Sequence, residues 1–87
     1  MGKAQVMCLL RCPDAGLVNY ALDLANLSKK ERLAVELCGR QRYTQEEAAE
    51  VADVSVEAIA KWYAAGMKQL EAAWAGSWWI RKIVGEG

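Results

Sequence analysis

The chain has 87 residues, and its 11 lysine and arginine residues balance 11 aspartate and glutamate residues, so its formal net charge is zero. This length allows one small domain that hides only about 60–65% of its surface on folding, so a deep catalytic cleft is not expected. The charge balance argues against a protein surface that is basic all over and binds nucleic acid non-specifically. Histidine is absent, which removes the most common general base and metal ligand, so we expect no enzyme activity, no metal site and no cofactor.

The sequence contains three cysteines, Cys8, Cys12 and Cys38. This odd number, without a recognisable secretory segment, predicts reduced thiols and a cytoplasmic location. We interpret the cysteines as small buried apolar residues, because two thiols one helical turn apart make a poor zinc site without a second pair of ligands. The apolar run over residues 6–10 is too short to span a membrane, so no membrane partner is expected.

The spacing of apolar residues predicts an all-α fold, a small bundle of four to five helices that contains a helix-turn-helix. Residues 1–13 are predicted to be an N-terminal arm, which could be a frayed segment, a short strand or a helix turn that stops before Pro13. The next helix is predicted over residues 15–26. Residues 14–76 are assigned to the helix-turn-helix domain and residues 77–87 to an aromatic C-terminal tail.

Two capping boxes predict where the following helices begin. Ser28 with Glu31, and Thr44 with Glu47, have the three-residue spacing in which each side chain satisfies a backbone N–H near the start of a helix. Gly39 fits the position just after the end of the first of these helices, where a left-handed residue is favoured.

Residues 44–62 have the spacing of a helix-turn-helix unit, in which two short helices cross at close range. With Gln45 as the first position, the buried positions hold Ala48, Ala52, Val54, Ile59 and Trp62. Ala49 falls where the two helices touch, and Asp53 falls at the turn, where it tolerates the left-handed conformation. The recognition helix is predicted over about residues 55–75. The alternative is two ordinary amphipathic helices joined by a polar turn.

Three short motifs accompany this spacing: "ER" at residues 31–32 in a leucine-rich helix, "EAA" at 47–49 and "DVS" at 53–55. With these motifs the stretch over residues 27–71 resembles region 4 of sigma-70-type RNA polymerase sigma factors, and also the small sigma-like helix-turn-helix proteins of phages and bacteria. The resemblance implies a DNA-binding transcription regulator, with RNA polymerase or a sigma-related protein as a partner. Recognition helices of that family usually carry several basic residues, whereas Lys61 alone is basic among the outward positions at the start of this helix.

Acidic residues outnumber basic ones by six to two over residues 43–74, whereas basic residues outnumber acidic ones by five to two over residues 28–42. Phosphate contacts supply most non-specific affinity for DNA. A monomer is therefore expected to bind double-stranded DNA weakly and to need a dimer or a larger DNA-binding partner. The predicted DNA contacts are Arg40, Arg42, Thr44, Gln45, Ser55, Val56, Glu57, Lys61 and Lys68. For Arg40 and Arg42 an ordinary solvated loop is the alternative.

The C-terminal tail carries much aromatic area for so small a chain. Trp78, Trp79 and Ile83 are predicted to bind a partner, because tryptophan is enriched at interaction hot spots. Core filling is the alternative for these residues. The tail and the acidic stretch over residues 43–74 together favour a second function. This function is a protein-interaction or self-assembling module of the kind found in phage regulatory or packaging components. Such a module would use the same scaffold without strong DNA binding and would form homo-oligomers.

Overall fold

A computed structural model describes residues 2–85 of the chain. Over these residues the protein forms six helices and no strand. They are α1 (Lys3–Leu10), α2 (Ala15–Ala25), α3 (Lys29–Ala34, continued by the π-helical segment Val35–Arg40), α4 (Gln45–Ala52), α5 (Val56–Ala75) and α6 (Trp78–Ile83). The all-α prediction is confirmed. The predicted number of four to five helices is too low, because helices form in both terminal segments.

The N-terminal segment forms helix α1. Val6, Leu9 and Leu10 lie at the spacing of one helical face, and at most 1% of each is exposed. All three belong to the main core, together with residues of α2, the π-helical segment, α5 and α6. Helix α1 is therefore part of the packed domain. Cys8 lies outside this stripe and is exposed, and Cys12 and Cys38 are half-buried, so the prediction of buried cysteines is wrong for Cys8.

The helix starts follow from local hydrogen bonds. Both predicted capping boxes are confirmed: Glu31 N–H donates to Ser28 Oγ at 3.2 Å, and Glu47 N–H donates to Thr44 Oγ1 at 3.1 Å. The reciprocal bonds to the two glutamate carboxylates are also present. Helix α5 begins after Ser55, whose hydroxyl accepts from a backbone N–H three residues on. These ends are set by residues three apart in sequence, which explains why they were predictable.

The end of the third helix differs from the prediction. The chain stays helical through Gly39 to Arg40 in the π-helical segment, so Gly39 does not terminate it. The left-handed residue comes three positions later, at Arg42, with φ of 63°. A Cβ on Gly39 would lie 2.9 Å from Leu10 Cδ1. This glycine therefore permits the close approach of α1 rather than the reversal of the chain.

Helix α5 joins two apolar clusters. Its C-terminal half contributes Met67, Leu70 and Trp74 to the main core. Its N-terminal half contributes Ile59 to a smaller cluster with Leu37 and the buried alanines of α4. The start of α5 therefore packs on one side only, against α4 and the π-helical segment. No helix within residues 2–85 is both long enough and apolar enough to traverse a bilayer.

Candidate nucleic-acid interface

Helices α4 and α5 are joined by a turn of three residues, 53–55. Asp53 adopts the left-handed conformation with φ of 57° and ψ of 48°, and Val54 N–H donates to Ala49 O at 3.0 Å. Ala48 and Ala49 are buried between the helices. Because alanine adds little bulk, the backbones of α4 and α5 can approach closely. The predicted left-handed turn at Asp53 is confirmed.

The six positions predicted to lie inside this pair of helices are buried to different degrees. Ala48, Ala49 and Ile59 are fully enclosed. Ala52, Val54 and Trp62 are half-buried around the same cluster. Lys30 Nζ lies 5.4 Å from the centre of the Trp62 ring, in a cation–π contact that covers part of that ring.

The outward face of α5 carries the predicted base-reading side chains. Ser55, Val56, Glu57 and Lys61 are exposed, and Ala64 and Lys68 follow Lys61 on the same helical face at steps of three and seven residues. Thr44 and Gln45 are exposed at the start of α4. This face is mixed in charge, because Glu57 lies one turn before Lys61.

A shallow groove of about 530 Å³ runs beside this face. It brings Gln45 and Lys68 together with Lys3 of α1, and the carboxylate of Glu71 also lines it. Lys3 was not among the predicted DNA contacts. Its position depends on the docking of α1 against α5, which no local sequence pattern shows. Lys3 therefore adds a third basic or polar side chain at the edge of the candidate interface.

The two predicted phosphate-binding arginines have different surroundings. Arg40 Nη1 donates to Leu10 O at 2.6 Å and to Cys12 O at 3.1 Å, so this side chain ties the π-helical segment to the end of α1. Arg42 is exposed at its left-handed position. The ion pairs within residues 2–85 both involve Arg32, with Asp23 and with Glu36. In the described part of the chain, Arg42, Lys61 and Lys68 are thus uncompensated by a carboxylate contact.

The acidic residues of α4 have separable roles. Glu47 accepts a hydrogen bond from Thr44 N–H at 2.9 Å and so holds the start of the helix. Asp53 forms the turn. Glu46 and Glu50 are exposed beside Val51, which is itself 61% exposed. The outer face of α4 is therefore unsuited to contact phosphate, and a polyanion is accommodated better along α5.

The ionisable groups near this region whose pKa is shifted stay in one protonation state around neutral pH, because each shift moves the pKa further above 7. Burial raises the pKa of the Cys38 thiol, and burial is also the main reason that the pKa of the Tyr63 hydroxyl is raised. The hydrogen bond that Arg32 donates to the Asp23 carboxylate is the main cause that raises the pKa of Arg32. No group of three or more potential metal ligands occurs among residues 2–85.

The C-terminal tail divides between core and surface. Ile80 is buried in the main core, whereas Trp78 is 72% exposed and Ile83 is 46% exposed. Trp79 is half-buried and lies against Tyr20 of α2, with ring centres 5.7 Å apart. Core filling therefore applies to Ile80, whereas partner binding by Trp78, Trp79 and Ile83 stays a prediction.

Helix α2 contributes further exposed apolar side chains beside this tail. Tyr20 and Leu24, one helical turn apart, are 58% and 47% exposed. We use the name α2–α6 apolar patch for these two residues together with Trp78, Trp79 and Ile83, which the contact of Tyr20 with Trp79 links across the two helices. Sequence spacing did not single out Tyr20, because its contact with Trp79 depends on how α6 folds back.

Comparisons of the chain with protein-family models, with curated proteins and with solved structures find no match.

Proposed function

We propose that this protein is a DNA-binding, transcription-regulatory protein of the helix-turn-helix type, in which α5 is the recognition helix. The observation that carries the proposal is the arrangement of α4 and α5. An eight-residue helix is followed by a three-residue turn, which begins with the left-handed Asp53, and then by a second helix whose outer face is exposed. The resemblance of residues 27–71 to sigma region 4 supports the same proposal.

The proposed docking places the start of α5 in the major groove, which is about 12 Å wide and admits one helix. Ser55, Val56 and Glu57 would face base edges, and Glu57 can accept from a cytosine amino group. Lys61 and Lys68 would lie toward the phosphates, with Arg42 and Lys3 beside them. The one-sided packing of α5 supports this assignment, because it leaves the side chains on the outer face of that helix exposed.

The small number of basic side chains predicts weak, salt-dependent binding. Each phosphate contact contributes about −0.9 to the slope of log affinity against log salt concentration. Four contacts would therefore produce a slope of about −3 to −4. A dimer or a partner such as RNA polymerase or a sigma-related protein would raise the affinity by adding contacts.

Replacing Lys61 by glutamine is expected to weaken binding to a random-sequence duplex about tenfold at 0.1 M salt and to reduce the salt slope by about 1. The reason is the loss of one phosphate contact from the proposed recognition helix. Fluorescence anisotropy over 50–200 mM salt measures both quantities.

Lys82→Gln is the matched control, because it makes the same charge change at an exposed position of α6. The control should bind the duplex as the unaltered protein does. Equal losses in the two variants would show a response to net charge alone and would contradict docking by α5. The absence of any salt-dependent binding by the unaltered protein at 50 mM salt would contradict the proposed function itself.

A second candidate function, protein interaction or self-association, is favoured by the α2–α6 apolar patch. Large apolar side chains clustered on a small protein mark an interaction surface more often than scattered ones do. The high exposure of Trp78 is the specific observation. A dimer formed through this patch would also present two copies of α5, which is how many helix-turn-helix proteins reach useful affinity.

Changing Trp78 and Ile83 together to serine is expected to convert a concentration-dependent oligomer to a monomer, because both side chains would lose burial in the interface. Light scattering after size exclusion, from about 10 to 500 μM protein, measures the mass. Val51→Ser, at another exposed apolar position, should leave the mass unchanged. A monomeric mass for the unaltered protein over the whole range would contradict self-association.

A further inference from the structure

A depression of about 310 Å³ lies where the end of α1 meets the end of the π-helical segment. Its walls hold Arg11, Cys12, Pro13, Arg40, Gln41 and Arg42. Three of these residues are arginines, and none is an aspartate or glutamate. Arg40 and Arg42 lie at and just after the end of the π-helical segment, whereas Arg11 lies 29 positions before Arg40 in the chain. This combination therefore exists only in the folded protein.

Two of the arginines are held by crossed hydrogen bonds. Arg11 Nε donates to Gly39 O at 3.3 Å, and Arg40 Nη1 donates to the carbonyls of Leu10 and Cys12. Each helix end is thus capped by an arginine of the other segment. A guanidinium has five N–H donors, so both side chains keep further donors after these bonds are made. Because these bonds already restrain the side chains of Arg11 and Arg40, both would lose little further side-chain entropy when a ligand binds.

The charge of this depression is largely uncompensated. Within residues 2–85, none of the three arginines takes part in an ion pair with a carboxylate. The two helix ends contribute partial negative charges of about 0.5 each at most. These offset only part of three full positive charges. The site is therefore electropositive, although the chain as a whole is neutral.

We infer that Arg11, Arg40 and Arg42 form a binding site for a phosphate group. Guanidinium groups suit phosphate because they present paired N–H donors to two oxygens at once. As a site for a phosphodiester of the DNA backbone, it rests on the proposed function. The inference adds Arg11 to the proposed DNA contacts. It also gives Arg40 two roles, since its side chain caps the end of α1 and lines the phosphate site.

The site is tested first with inorganic phosphate. Nitrogen-15 NMR of the arginine Nε–H groups follows a titration with sodium phosphate at constant ionic strength, with sodium acetate in a parallel series. We expect saturable shifts at Arg11, Arg40 and Arg42 with phosphate and at least fivefold weaker binding of acetate. Equal responses to the two anions, or linear shifts without saturation, would overturn the assignment to phosphate.

Arg42→Gln is the main variant, because the exposed Arg42 side chain caps no helix, whereas replacing Arg40 would also remove the bonds to α1. We expect about tenfold weaker phosphate binding, equivalent to about 1.4 kcal/mol, from the loss of one charged donor pair. Arg81→Gln makes the same charge change on α6 and should bind phosphate as the unaltered protein does. Equal affinities in these two variants would overturn the inference.

Arg11→Lys keeps the charge and loses the guanidinium fork. It is expected to weaken phosphate binding severalfold while its circular dichroism spectrum stays that of the unaltered protein. The same variants are then titrated with a duplex. If the duplex binds and Arg42→Gln equals Arg81→Gln, the inference fails while the proposed function stands. If phosphate binds at the arginines and no duplex binds, the proposed function fails while the phosphate site stands.

Discussion

Replacing Trp74 by alanine is expected to lower the free energy of unfolding by about 3–5 kcal/mol. Trp74 is the largest side chain that is fully buried, and its Nε1 donates to Ala21 O at 2.8 Å. Alanine would leave a cavity between α2 and α5 and would remove that hydrogen bond. Small domains have total stabilities of about 5–15 kcal/mol, so a large fraction of this variant should be unfolded at 37 °C. Urea denaturation followed by circular dichroism measures the effect.

Trp78→Ala is the matched control, because it deletes the same side chain four residues further on, where 72% of it is exposed. Its free energy of unfolding should lie within about 0.5 kcal/mol of the unaltered value. Trp74→Phe separates two contributions, since it keeps most of the aromatic volume and removes the N–H donor. Equal denaturation midpoints for Trp74→Ala and Trp78→Ala would contradict the placement of Trp74 at the centre of the core.

Replacing Gly66 by alanine is expected to destabilise the protein by about 1–3 kcal/mol, although alanine is the better helix former. A Cβ at this position would lie 2.6 Å from Val35 Cγ2 and 3.3 Å from Glu31 O. The backbone oxygen cannot rotate away, so α3 and α5 would have to separate. The overpacking exceeds the gain in helix propensity of about 1 kcal/mol. Thermal and urea unfolding both measure the net result.

Gly16→Ala is the control for this substitution. Gly16 lies in the first turn of α2, and the nearest atom to a new Cβ would be Asp14 Oδ1 at 3.5 Å, an ordinary contact. Alanine there should stabilise the protein by about 0.4–1 kcal/mol. In a double-mutant cycle, Gly66→Ala should be better tolerated when Val35 is also alanine. A Gly66→Ala protein as stable as Gly16→Ala would rule out the close packing of α3 on α5.

The predictable parts of the fold are those that depend on neighbours in sequence. The starts of α3 and α4 depend on capping boxes whose two side chains are three positions apart, and both were predicted. The inner face of α5 depends on helical periodicity, since its buried residues Ile59, Met67, Leu70 and Trp74 recur at steps of three, four and eight. The left-handed turn at Asp53 was predictable because few residues other than glycine tolerate that conformation. Each of these features needs only one segment of chain.

The features that the sequence missed depend on distant contacts. Gly39 has the local character of a helix terminator, yet it lies inside a helix, where its missing Cβ leaves room for Leu10 of α1. The buried residues of α1 span only five positions, from Val6 to Leu10, which is too short to show as a helical pattern by itself. Tyr20 became part of an apolar patch only because Trp79 folds back against it.

The candidate site shows the same division between local pattern and tertiary contact. The sequence by itself determined the helical class, the capped starts of α3 and α4, the turn at Asp53 and the exposed positions at the start of α5. Only the tertiary structure decided the roles of the arginines. Arg40 and Arg42 are two residues apart, and the difference between them arises because the end of α1 presents its carbonyls to Arg40. The same docking brings Arg11 beside them, since a charge cluster drawn from two segments exists only when both segments share one core.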